Sequence, residues 1–567
     1  MSLFMDRLLE TGKTSDFGLH TGDPAAMQRI GWREILETSR RFAGGLAAQG
    51  VDHGDSVAIL AGEAADIAPV IQSVWLRGAS FTMLHQPTPR ADLAAWAAAT
   101  VELLSMIDAR VVVVGSPFTG IESLLRSRGF VTTTVEQLRA HTESSGIVES
   151  DETDTAILQL TSGTTGVPKA VVITHANLHH NEVAMLASSA GGPSDTTVSW
   201  LPLFHDMGMI GFLVQPMLHG AEAVCVSPTA FLRSPLVWPE LITRYRGTMT
   251  AAPNFAYSIL ARRLQNAPDG AYDLTSLRFA LNGAEPLDID TIEAFLSAGA
   301  RFGLRRSAMV AAYGMAESTL AVSFSALDTP IVVDRVNRRA LEVEEVARQA
   351  EPEADACRLI MLGAPMPGLD VRVVDSSGIG QPARAIGEIE IRGGAVTKQY
   401  LTTEGISEAA GPDGWLPTGD LGYLTDDGQI VVSGRKKDVI IVAGRNIAPM
   451  DIERAALRVR GVRPGNAAAV RLVRAERREE FAVLVESVDG LDEDEIGRIR
   501  HEVSRAIYAD LGVTPQQVLV LPRGALPKTP SGKIKRSSAS RLIPESRSHG
   551  TDSAPVRGVV SVGEGRS

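Results

Sequence analysis

The chain has 567 residues, with 55 Lys and Arg against 67 Asp and Glu and only two cysteines. Its net charge of −12 argues against a general nucleic-acid binder, because such a protein needs a basic surface to neutralise phosphates. Two isolated cysteines exclude a disulfide framework and a cysteine-rich zinc module, and the length suits roughly three to four domain-sized units.

No segment has the composition of a secretory signal or a membrane span. The first residues mix acidic and basic side chains, whereas a secretory signal needs an unbroken apolar run. The most apolar internal stretch, Gly208 to Leu218, is interrupted by Gln215 and Pro216 and is far shorter than a bilayer requires. We therefore expect no membrane span and a cytoplasmic location.

Strand and helix patterns alternate along the first part of the chain. Amphipathic spacing predicts a helix from Trp32 to Gln49, and a second helix is predicted from Ala65 to Leu76. Val111 to Val114 is a run of β-branched residues, which is typical of a strand buried on both faces. Further strands are predicted at Ser56–Ala61, Thr155–Leu160, Ala170–Thr174, Ala223–Ser227, Thr248–Ala252 and Leu277–Leu281. The alternation predicts an α/β fold with parallel sheets covered on both faces.

Short strands separated by turns replace this alternation beyond about residue 365. Asp370–Val374, Gly387–Arg392 and Gln429–Val432 predict a small, largely antiparallel β unit. After Gly434 the pattern is that of a compact α+β unit of about a hundred residues. Its predicted strands are Val439–Val442, Ala467–Leu472, Phe481–Glu486 and Gln516–Leu521, and its predicted helices are Pro449–Arg458 and Asp492–Tyr508.

The most informative segment runs from Leu158 to Lys169, Leu-Gln-Leu-Thr-Ser-Gly-Thr-Thr-Gly-Val-Pro-Lys. Its glycines allow backbone N–H groups to close around phosphate oxygens, its hydroxyls add donors, and Lys169 adds positive charge. A flexible turn is the simpler interpretation. The spacing argues against a nucleotide-binding P-loop, because Ala170 rather than Ser or Thr follows the lysine.

This loop resembles the phosphate-binding signature of the adenylate-forming superfamily, which contains acyl-CoA synthetases, nonribosomal peptide adenylation domains and firefly luciferase. Six further segments resemble that superfamily's motifs in the same order, so that the resemblance covers about residues 30–540. They are Ser199-Trp-Leu-Pro-Leu-Phe-His-Asp-Met-Gly208, Asn282-Gly-Ala-Glu-Pro286, Ala312-Tyr-Gly-Met-Ala-Glu317, Gly414-Trp-Leu-Pro-Thr-Gly-Asp420, Ser433-Gly-Arg-Lys-Lys-Asp-Val-Ile-Ile-Val-Ala-Gly444 and Pro527-Lys-Thr-Pro-Ser-Gly-Lys533. Each residue taken alone has an ordinary structural explanation, and it is the ordered set that supports the interpretation.

The resemblance implies a two-domain organisation. Residues 1–434 are expected to form a large domain of parallel αβαβα-type sheets, with a small β-barrel-like subdomain at about residues 365–434. Residues 435–545 are expected to form a small, mobile α+β domain. Residues 546–567 lack aromatic side chains and are rich in Gly and Ser, so we expect a disordered tail.

The resemblance also implies an ATP site. Converting a carboxylic acid to an acyl-adenylate brings two anions together, so the site needs positive charge and Mg²⁺. Lys533 is the expected catalytic residue, since a lysine there can bridge the acid's carboxylate and the α-phosphate. Thr164 and Glu317 are expected to assist catalysis and to hold Mg²⁺ through oxygen atoms. The other implied ATP-binding residues are Thr161, Ser162, Gly163, Thr165, Gly166 and Lys169 at the phosphates, Gly283, Ala284 and Tyr313 at the adenine, and Asp420 and Arg435 at the ribose or phosphate.

In this superfamily a second half-reaction transfers the acyl group to a phosphopantetheine thiol, carried by CoA or by a carrier protein. Lys437 matches the hinge of the mobile domain, and Gly444 matches the face that lines the thiol tunnel. His205 and Met209 match the acyl pocket. The apolar residues around them favour a hydrophobic acid of fatty, polyketide or terpenoid type.

The branch most resembled is that of the fatty acyl-AMP ligases. The charged segment Ile331 to Cys357, with a helix predicted at Leu341–Ala350, resembles the insertion that in this branch restrains the mobile domain and disfavours CoA. A solvated surface loop is the alternative for this segment. For the whole chain the alternatives are a non-catalytic protein that binds ATP or acyl-AMP on the same fold, and an oxidative relative such as luciferase, of which the sequence has no specific sign.

Overall fold

The computed structural model describes residues 1–87, 92–161, 168–472, 480–488, 490–528 and 533–544. Helices and strands alternate through the larger part of the chain, as the sequence predicts, and smaller antiparallel sheets follow. A search of these ranges finds no helix that is both long enough and apolar enough to cross a membrane.

The predicted helices are confirmed to within a few residues at their ends, except the one predicted at Leu341–Ala350, which is described below. The helix from Trp32, for example, ends at Ala48 and buries Ile35, Phe42 and Leu46 on one face. The α-helices are α1 Leu3–Thr14, α2 Trp32–Ala48, α3 Ala64–Leu76, α4 Leu93–Met106, α5 Glu122–Ser127, α6 Val135–Ala140, α7 His175–Ser188, α8 Asp206–Met209, α9 Gln215–His219, α10 Pro228–Arg233, α11 Val237–Tyr245, α12 Asn254–Gln265, α13 Ile289–Ala300, α14 Arg338–Val343, α15 Pro449–Leu457, α16 Glu493–Leu511 and α17 Arg536–Ala539. A π-helical segment, Ile210–Val214, joins α8 to α9.

The strands are also close to their predicted positions. They are β1 Gly18–Thr21, β2 Gln28–Gly31, β3 Ser56–Leu60, β4 Ser80–Met83, β5 Ala109–Val114, β6 Thr132–Thr134, β7 Thr155–Thr161, β8 Lys169–Thr174, β9 Thr196–Ser199, β10 Glu222–Cys225, β11 Met249–Ala252, β12 Phe279–Asn282, β13 Met309–Gly314, β14 Ala321–Phe324, β15 Val333–Asn337, β16 Ala356–Ile360, β17 Leu369–Val374, β18 Gly387–Gly393, β19 Gln399–Thr402, β20 Gly405–Glu408, β21 Leu416–Leu424, β22 Ile430–Arg435, β23 Ile440–Val442, β24 Arg445–Ile447, β25 Val462–Leu472, β26 Glu480–Ser487 and β27 Gln517–Leu521.

Two eight-stranded sheets form the larger part of the molecule. The first sheet has the strand order β14-β13-β12-β11-β9-β10-β1-β2 and is parallel except for β14 and β2 at its edges. The second has the order β20-β19-β8-β7-β4-β3-β5-β6 and is parallel from β7 to β6. β7 and β8 pair antiparallel, because the few residues between them are too short for a parallel crossover, which needs a dozen or more.

Helices cover and separate the two sheets. One hydrophobic cluster lies between the sheets and joins side chains of both, such as Leu19 and Val57, with Phe4, Trp32 and Trp75 from α1, α2 and α3. A second cluster covers the outer face of the first sheet with α11, α12 and α13, and a third covers the outer face of the second sheet with α4 and α5. The layers therefore follow the predicted αβαβα order.

A smaller antiparallel sheet follows the two large ones. Its strand order is β17-β18-β21-β22, and Ile389 and Leu416 on its inner face join the cluster that covers the first large sheet. The predicted antiparallel unit is therefore confirmed. In the described residues this sheet is open, since its edge strands β17 and β22 do not pair with each other, rather than closed into a barrel.

The C-terminal elements enclose a hydrophobic cluster of their own. α15 and α16 pack on the three-stranded sheet β25-β26-β27, and the buried residues of this cluster all lie between Ile440 and Val513. The small hairpin β23-β24 turns at Ala443 and Gly444, which both have positive φ, as the tightest hairpin turns require.

The segment that resembles an insertion folds as a hairpin with a short helix. β15 and β16 pair antiparallel, and between them α14 occupies Arg338–Val343 instead of the predicted Leu341–Ala350. The helix begins early because the Asn337 side chain accepts a hydrogen bond from the N–H of Ala340. It ends early because Glu345 has a φ of +55°, which no right-handed helix accommodates.

Candidate active site

A cavity of about 300 Å³ lies where the parallel strands of the first large sheet end. Binding sites of open α/β sheets form at the carboxyl ends of the strands. One part of this cavity, here called the polar end, is lined by Tyr313, Glu317, Lys169, Arg435 and Lys533. The other part, here called the apolar arm, extends along the face of the sheet and is lined mainly by Met185, Phe212, Met249, Phe279, Leu281, Leu320 and Phe324.

Gly283 and Ala284 follow β12 directly and form one wall of the polar end. A Cβ atom on Gly283 would lie 3.3 Å from the backbone oxygen of Ala312, so a larger residue would press on β13. Ala284 has a φ of +68°, a conformation that turns the chain sharply away from the sheet. At Gly283 and Ala284 the cavity wall therefore consists mainly of backbone atoms, and a wall without large side chains suits the close approach of a flat ring.

Tyr313, Asp420 and Arg435 form a connected chain in the polar end. The Tyr313 hydroxyl donates to Oδ2 of Asp420 at 2.7 Å, and Nε of Arg435 lies 2.8 Å from Oδ1 of the same carboxylate. Burial raises the pKa of Asp420, an effect that the Arg435 guanidinium opposes. Burial and the Asp420 carboxylate together raise the pKa of Tyr313 well above its ordinary value, so this hydroxyl stays a donor. The arrangement presents a carboxylate of fixed orientation, which suits hydrogen bonds from a sugar diol.

Glu317 and Lys169 meet on the opposite wall. Nζ of Lys169 lies 3.4 Å from Oε1 of Glu317, and the Tyr400 hydroxyl donates to the same oxygen at 3.0 Å. The ammonium of Lys169 also lies 3.8 Å from the centre of the Tyr400 ring, a cation–π contact. Tyr400 is not predictable from the sequence motifs, because only the pairing of β19 with β8 brings it beside these residues.

Thr161 ends β7 at the cavity wall, and its buried hydroxyl has no hydrogen-bond partner in the described residues. A buried hydroxyl without a partner is costly, so a ligand oxygen at this point would stabilise it. Five other predicted residues belong to the loop that follows and lie outside the described residues: Ser162, Gly163, Thr164, Thr165 and Gly166.

Lys533 reaches the cavity from the C-terminal part of the chain and lines it together with residues of the larger part. Burial lowers the pKa of its ammonium, while the carboxylates of Asp206 and Glu285 oppose this effect. Asp206 also accepts from Nδ1 of His205 at 2.6 Å and from the N–H of Met207. The lysine is therefore half-buried in the cavity wall with acidic groups nearby.

Two further polar residues of the cavity were missed from the sequence. His85 packs edge-on against the Phe204 ring, and burial lowers the pKa of its imidazole to about 4. Gln159 donates to the backbone oxygen of Phe204 at 3.3 Å. His85 belongs to none of the recognised motifs, and Gln159 lies within the segment Leu158–Lys169 but was given no role there. Their positions follow from the packing of β4 and β7 in the second sheet.

The predicted acyl-pocket residues have different positions. His205 lines the cavity, whereas Met209 is almost completely buried in the core between the sheets, and Met207 lines the cavity in its place. The predicted hinge residue Lys437 and tunnel residue Gly444 do not line the cavity. Lys437 is exposed beside Arg435 and Asp438, and Gly444 is at the tip of the β23-β24 hairpin.

The described residues hold no group of three or more His, Cys, Asp or Glu side chains arranged around a metal. At the wall where Lys169 lies, the polar end offers the carboxylate of Glu317, and the orphaned hydroxyl of Thr161 lines the same cavity. Mg²⁺ commonly binds through one or two carboxylates together with substrate phosphates rather than in a protein cage. The donor set therefore fits Mg²⁺ that enters with a nucleotide.

Comparison with known proteins agrees with this geometry. The sequence profile described as AMP-binding enzyme matches residues 19–401. A Mycobacterium tuberculosis protein, "Putative ligase Rv1013", is 50% identical over 96% of this chain and 100% of its own length. The medium-chain-fatty-acid–[acyl-carrier-protein] ligase JamA of Moorena producens is 35% identical over 68% of this chain and 67% of its own length.

Solved structures give the same result. A structure from a study of fatty acyl-adenylate ligases of E. coli and L. pneumophila superimposes with a TM-score of 0.89 at 28% identity, over 96% of this chain and 98% of that one. The adenylation–carrier structure McyG A-PCP has a TM-score of 0.82 at 24% identity and covers 95% of this chain and 82% of its own, a likeness of fold. The chain therefore belongs to the AMP-binding enzyme family, and it is an adenylate-forming ligase related to acyl-CoA synthetases and fatty acyl-AMP ligases.

Proposed function

We propose that this protein activates a hydrophobic carboxylic acid with ATP, forming an acyl-adenylate and releasing pyrophosphate, and then transfers the acyl group to a phosphopantetheine thiol. The observation that carries the proposal is the position of Lys533, whose side chain lines one cavity with Tyr313 and Arg435 on one side and an apolar arm on the other. An acid whose tail fills the arm would bring its carboxylate to this lysine.

The adenylation step would proceed as an in-line displacement. A carboxylate oxygen forms a bond to the α-phosphorus of ATP while the bond from that phosphorus to the bridging oxygen breaks, and pyrophosphate leaves with the electron pair. The ammonium of Lys533 would hold the carboxylate and the α-phosphate together and offset the charge that gathers between them. Its half-buried position strengthens this interaction, because water screens it less than at the surface.

The remaining site residues would bind the nucleotide. Asp420, oriented by Tyr313 and Arg435, would accept hydrogen bonds from the ribose hydroxyls, and Gly283 and Ala284 would allow the adenine ring to approach closely. Lys169 and Thr161 would meet the outer phosphates, together with the loop at residues 162–166. Mg²⁺ bound by Glu317, with Thr164 as a further ligand, would neutralise phosphate charge.

The thiol for the second half-reaction would come from an acceptor molecule. Cys225 and Cys357 are both buried, and burial raises the pKa of each thiol to about 12, so neither is suited to act as a nucleophile. Lys437 would serve as the hinge and Gly444 would face the thiol tunnel after the C-terminal part has turned. We propose the corresponding division into residues 1–434, a mobile unit at 435–545 and a tail at 546–567, which the separate hydrophobic cluster between Ile440 and Val513 supports.

A carrier protein is the acceptor that the inserted hairpin favours. Glu342 on α14 forms a buried ion pair with Arg445 of the C-terminal part, with Oε2 at 2.8 Å from Nε and 2.6 Å from Nη2. Asn446 adds a hydrogen bond to Glu345 at 3.0 Å. Such contacts would hold the C-terminal part with Lys533 in the cavity and slow the reorientation that CoA needs. The relative JamA is named as an acyl-carrier-protein ligase.

Pyrophosphate release across a panel of carboxylic acids tests the first half-reaction, and hydroxylamine trapping identifies the activated acid. Lys533→Ala should lower the rate by at least about a hundredfold and leave ATP binding measured by calorimetry nearly unchanged. Lys436→Ala is the matched control, since this exposed lysine pairs with Glu388 outside the cavity. A wild-type rate in Lys533→Ala would remove the lysine from the mechanism, and the absence of acid-dependent pyrophosphate release would favour a non-catalytic binder.

The acceptor is tested in the same assay by adding either CoA or a phosphopantetheinylated carrier protein and measuring thioester formation. Faster transfer to the carrier protein is expected. Equal or faster transfer to CoA would contradict the role given to the inserted hairpin.

A further inference from the structure

The apolar arm of the cavity ends in hydrogen-bonding side chains rather than in aliphatic ones. Ser189 follows the C-terminal end of α7, Thr197 lies on β9, and Gln215 begins α9, and all three line the cavity. An arm built only to hold a hydrocarbon tail would be expected to end in Leu, Ile, Val or Phe. These three residues are here called the polar terminus.

The register of the sheet places the polar terminus far from Lys533. Thr197, Met249 and Phe279 pair in one row across β9, β11 and β12, near the amino ends of these parallel strands. Gly283, at the polar end, is four residues beyond Phe279, which corresponds to about 13 Å along a strand. The row that contains Thr197 therefore marks the opposite end of the arm.

The helical side of the arm gives the same separation. Gln215 is ten residues beyond His205, and the intervening residues are helical. A continuous α-helix of this length would span about 15 Å, and the π-helical segment Ile210–Val214, which rises less per residue, brings the distance nearer to the value along the strands. Since each carbon–carbon bond advances an extended zigzag chain by about 1.3 Å, a span of about 13 Å has room for roughly ten or eleven carbons.

The hydrogen-bonding capacity of the polar terminus is largely unused. The side-chain amide of Gln215 makes no hydrogen bond with any residue that the structure describes, although the residue is partly buried beside the buried Val214. The hydroxyls of Ser189 and Thr197 each make one long hydrogen bond of 3.4 Å to a backbone oxygen. Polar groups at the end of an enclosed arm are costly unless a ligand pairs with them.

Polar character continues one layer behind the arm. Glu182 lies one turn of α7 before Met185, and His219 lies one turn of α9 after Gln215. Glu182 and His219 are both buried. Their nearest atoms, Oε2 and Nε2, are 3.8 Å apart. In the described part of the chain neither carboxylate oxygen and neither ring nitrogen has a hydrogen-bond partner. The wall that carries Gln215 is therefore backed by polar rather than by hydrocarbon groups.

A cation closes this end of the arm but is already neutralised. Arg278 lies 3.7 Å from the sulfur of Met249, and its guanidinium pairs with Asp195 through two hydrogen bonds and donates to the backbone oxygen of Ser189. With its charge balanced, Arg278 has little attraction for a second carboxylate on the substrate. A neutral polar group is the better match.

We propose that the acid activated by this enzyme carries a hydroxyl group at the end remote from its carboxylate, and that Gln215 is the residue that recognises it. An amide offers both a donor and an acceptor, and a hydroxyl is the small neutral group that can use both at once. The inference rests on the proposed acid activation and adds the chemical class of the substrate.

The test compares plain and ω-hydroxylated straight-chain acids of equal length, from roughly six to fourteen carbons, around the span of the arm, by pyrophosphate release. In the wild-type enzyme the hydroxy acid should have the higher kcat/KM at the best length, by about tenfold for one well-formed hydrogen bond. Gln215→Leu should lose this preference, and a thermal unfolding midpoint close to that of the wild type reports that the variant is folded. Met185→Leu, an apolar change in the same arm, should keep the wild-type preference.

The outcomes separate this inference from the function on which it rests. Brisk pyrophosphate release with no preference for hydroxy acids at any length would overturn the inference and leave acid activation standing. A preference that persists in Gln215→Leu would overturn the role of Gln215. No pyrophosphate release with any acid, in the wild type as in Lys533→Ala, would overturn the proposed function and this inference with it.

Discussion

The ion pair between Glu342 and Arg445 allows a sharp test of the proposal that the inserted hairpin, the segment from β15 to β16, restrains the C-terminal part between the two half-reactions. Glu342 is 3% exposed, and the same carboxylate also faces Nη1 of Arg338 at 3.4 Å. Burial raises the pKa of Glu342 and the Arg445 guanidinium opposes that effect, so the paired arginine favours the ionised form. Glu342→Gln keeps the shape of the side chain and removes its charge.

The expected magnitude follows from the burial of the two partners. Breaking a fully buried ion pair costs about 3–5 kcal/mol, whereas exposed pairs contribute about 0–1 kcal/mol. Arg445 is 26% exposed, so about 2 kcal/mol is a reasonable value between these limits. If the pair exists only while Lys533 is in the cavity, its loss should shift the orientation equilibrium towards thioester formation by about thirtyfold.

The assay measures pyrophosphate release and thioester formation separately on one preparation of enzyme, with CoA as the acceptor. The ratio of the thioester rate to the adenylation rate should rise in Glu342→Gln by up to about thirtyfold. Glu344→Gln is the matched control, since among the described residues this side chain of the same hairpin pairs with the exposed Arg348 and with no other cation. The control should leave the ratio within about twofold of the wild type.

Two results would refute the reasoning. An unchanged ratio in Glu342→Gln, with the variant folded and adenylation intact, would mean that the ion pair does not restrain the C-terminal part. An equal rise in the Glu344→Gln control would mean that the hairpin acts through its overall charge rather than through this contact.

Two further predictions concern the polar end and the buried pair behind the arm. Tyr400→Leu removes the ring beneath Lys169 and the hydroxyl that donates to Glu317, so the affinity for ATP measured by calorimetry should fall about fivefold. Tyr400→Phe keeps the ring and should lose less affinity. Equal affinity in Tyr400→Leu and the wild type would contradict this prediction. Burial raises the pKa of Glu182 in the folded protein above its unfolded value, despite the nearby His219. The folded state therefore favours the protonated carboxyl. The stability that this group contributes is fully present below its unfolded pKa of about 4.3 and is lost as the pH rises through its folded pKa. Glu182→Gln cannot ionise and should gain stability relative to the wild type with increasing pH, by about 1.4 kcal/mol for each unit of the raised pKa; thermal unfolding curves that stay parallel from pH 4 to pH 8 would contradict this.

Local sequence patterns were sufficient for most of the fold. The run Val111 to Val114 could only be a buried strand, and it forms the end of β5. The amphipathic spacing after Trp32 gave α2 nearly to its last residue. These predictions succeed because propensity and hydrophobic period are properties of neighbours in sequence. The helix predicted at Leu341–Ala350 failed where a local backbone feature, the positive φ of Glu345, overrode the charged, helix-favouring composition.

The candidate site was predictable as a set of residues but not as an arrangement. The motifs identified Tyr313, Asp420 and Arg435, yet nothing in their spacing indicates that one carboxylate joins the other two side chains. The motif around His205 pointed to Met209, while a turn of helix placed Met207 on the cavity wall and Met209 in the core.

By itself the sequence determined the class of fold, the family motifs and the local positive charge that an ATP site requires within a chain of net charge −12. Only the tertiary structure decided what lies together. The pairing of β19 with β8 brought Tyr400 to Glu317, and the packing of α7 and α9 over the sheet set Ser189, Thr197 and Gln215 at one end of the arm. The physical reason is that contacts between distant segments depend on register and on the facing of helices, which the identity of neighbouring residues does not specify.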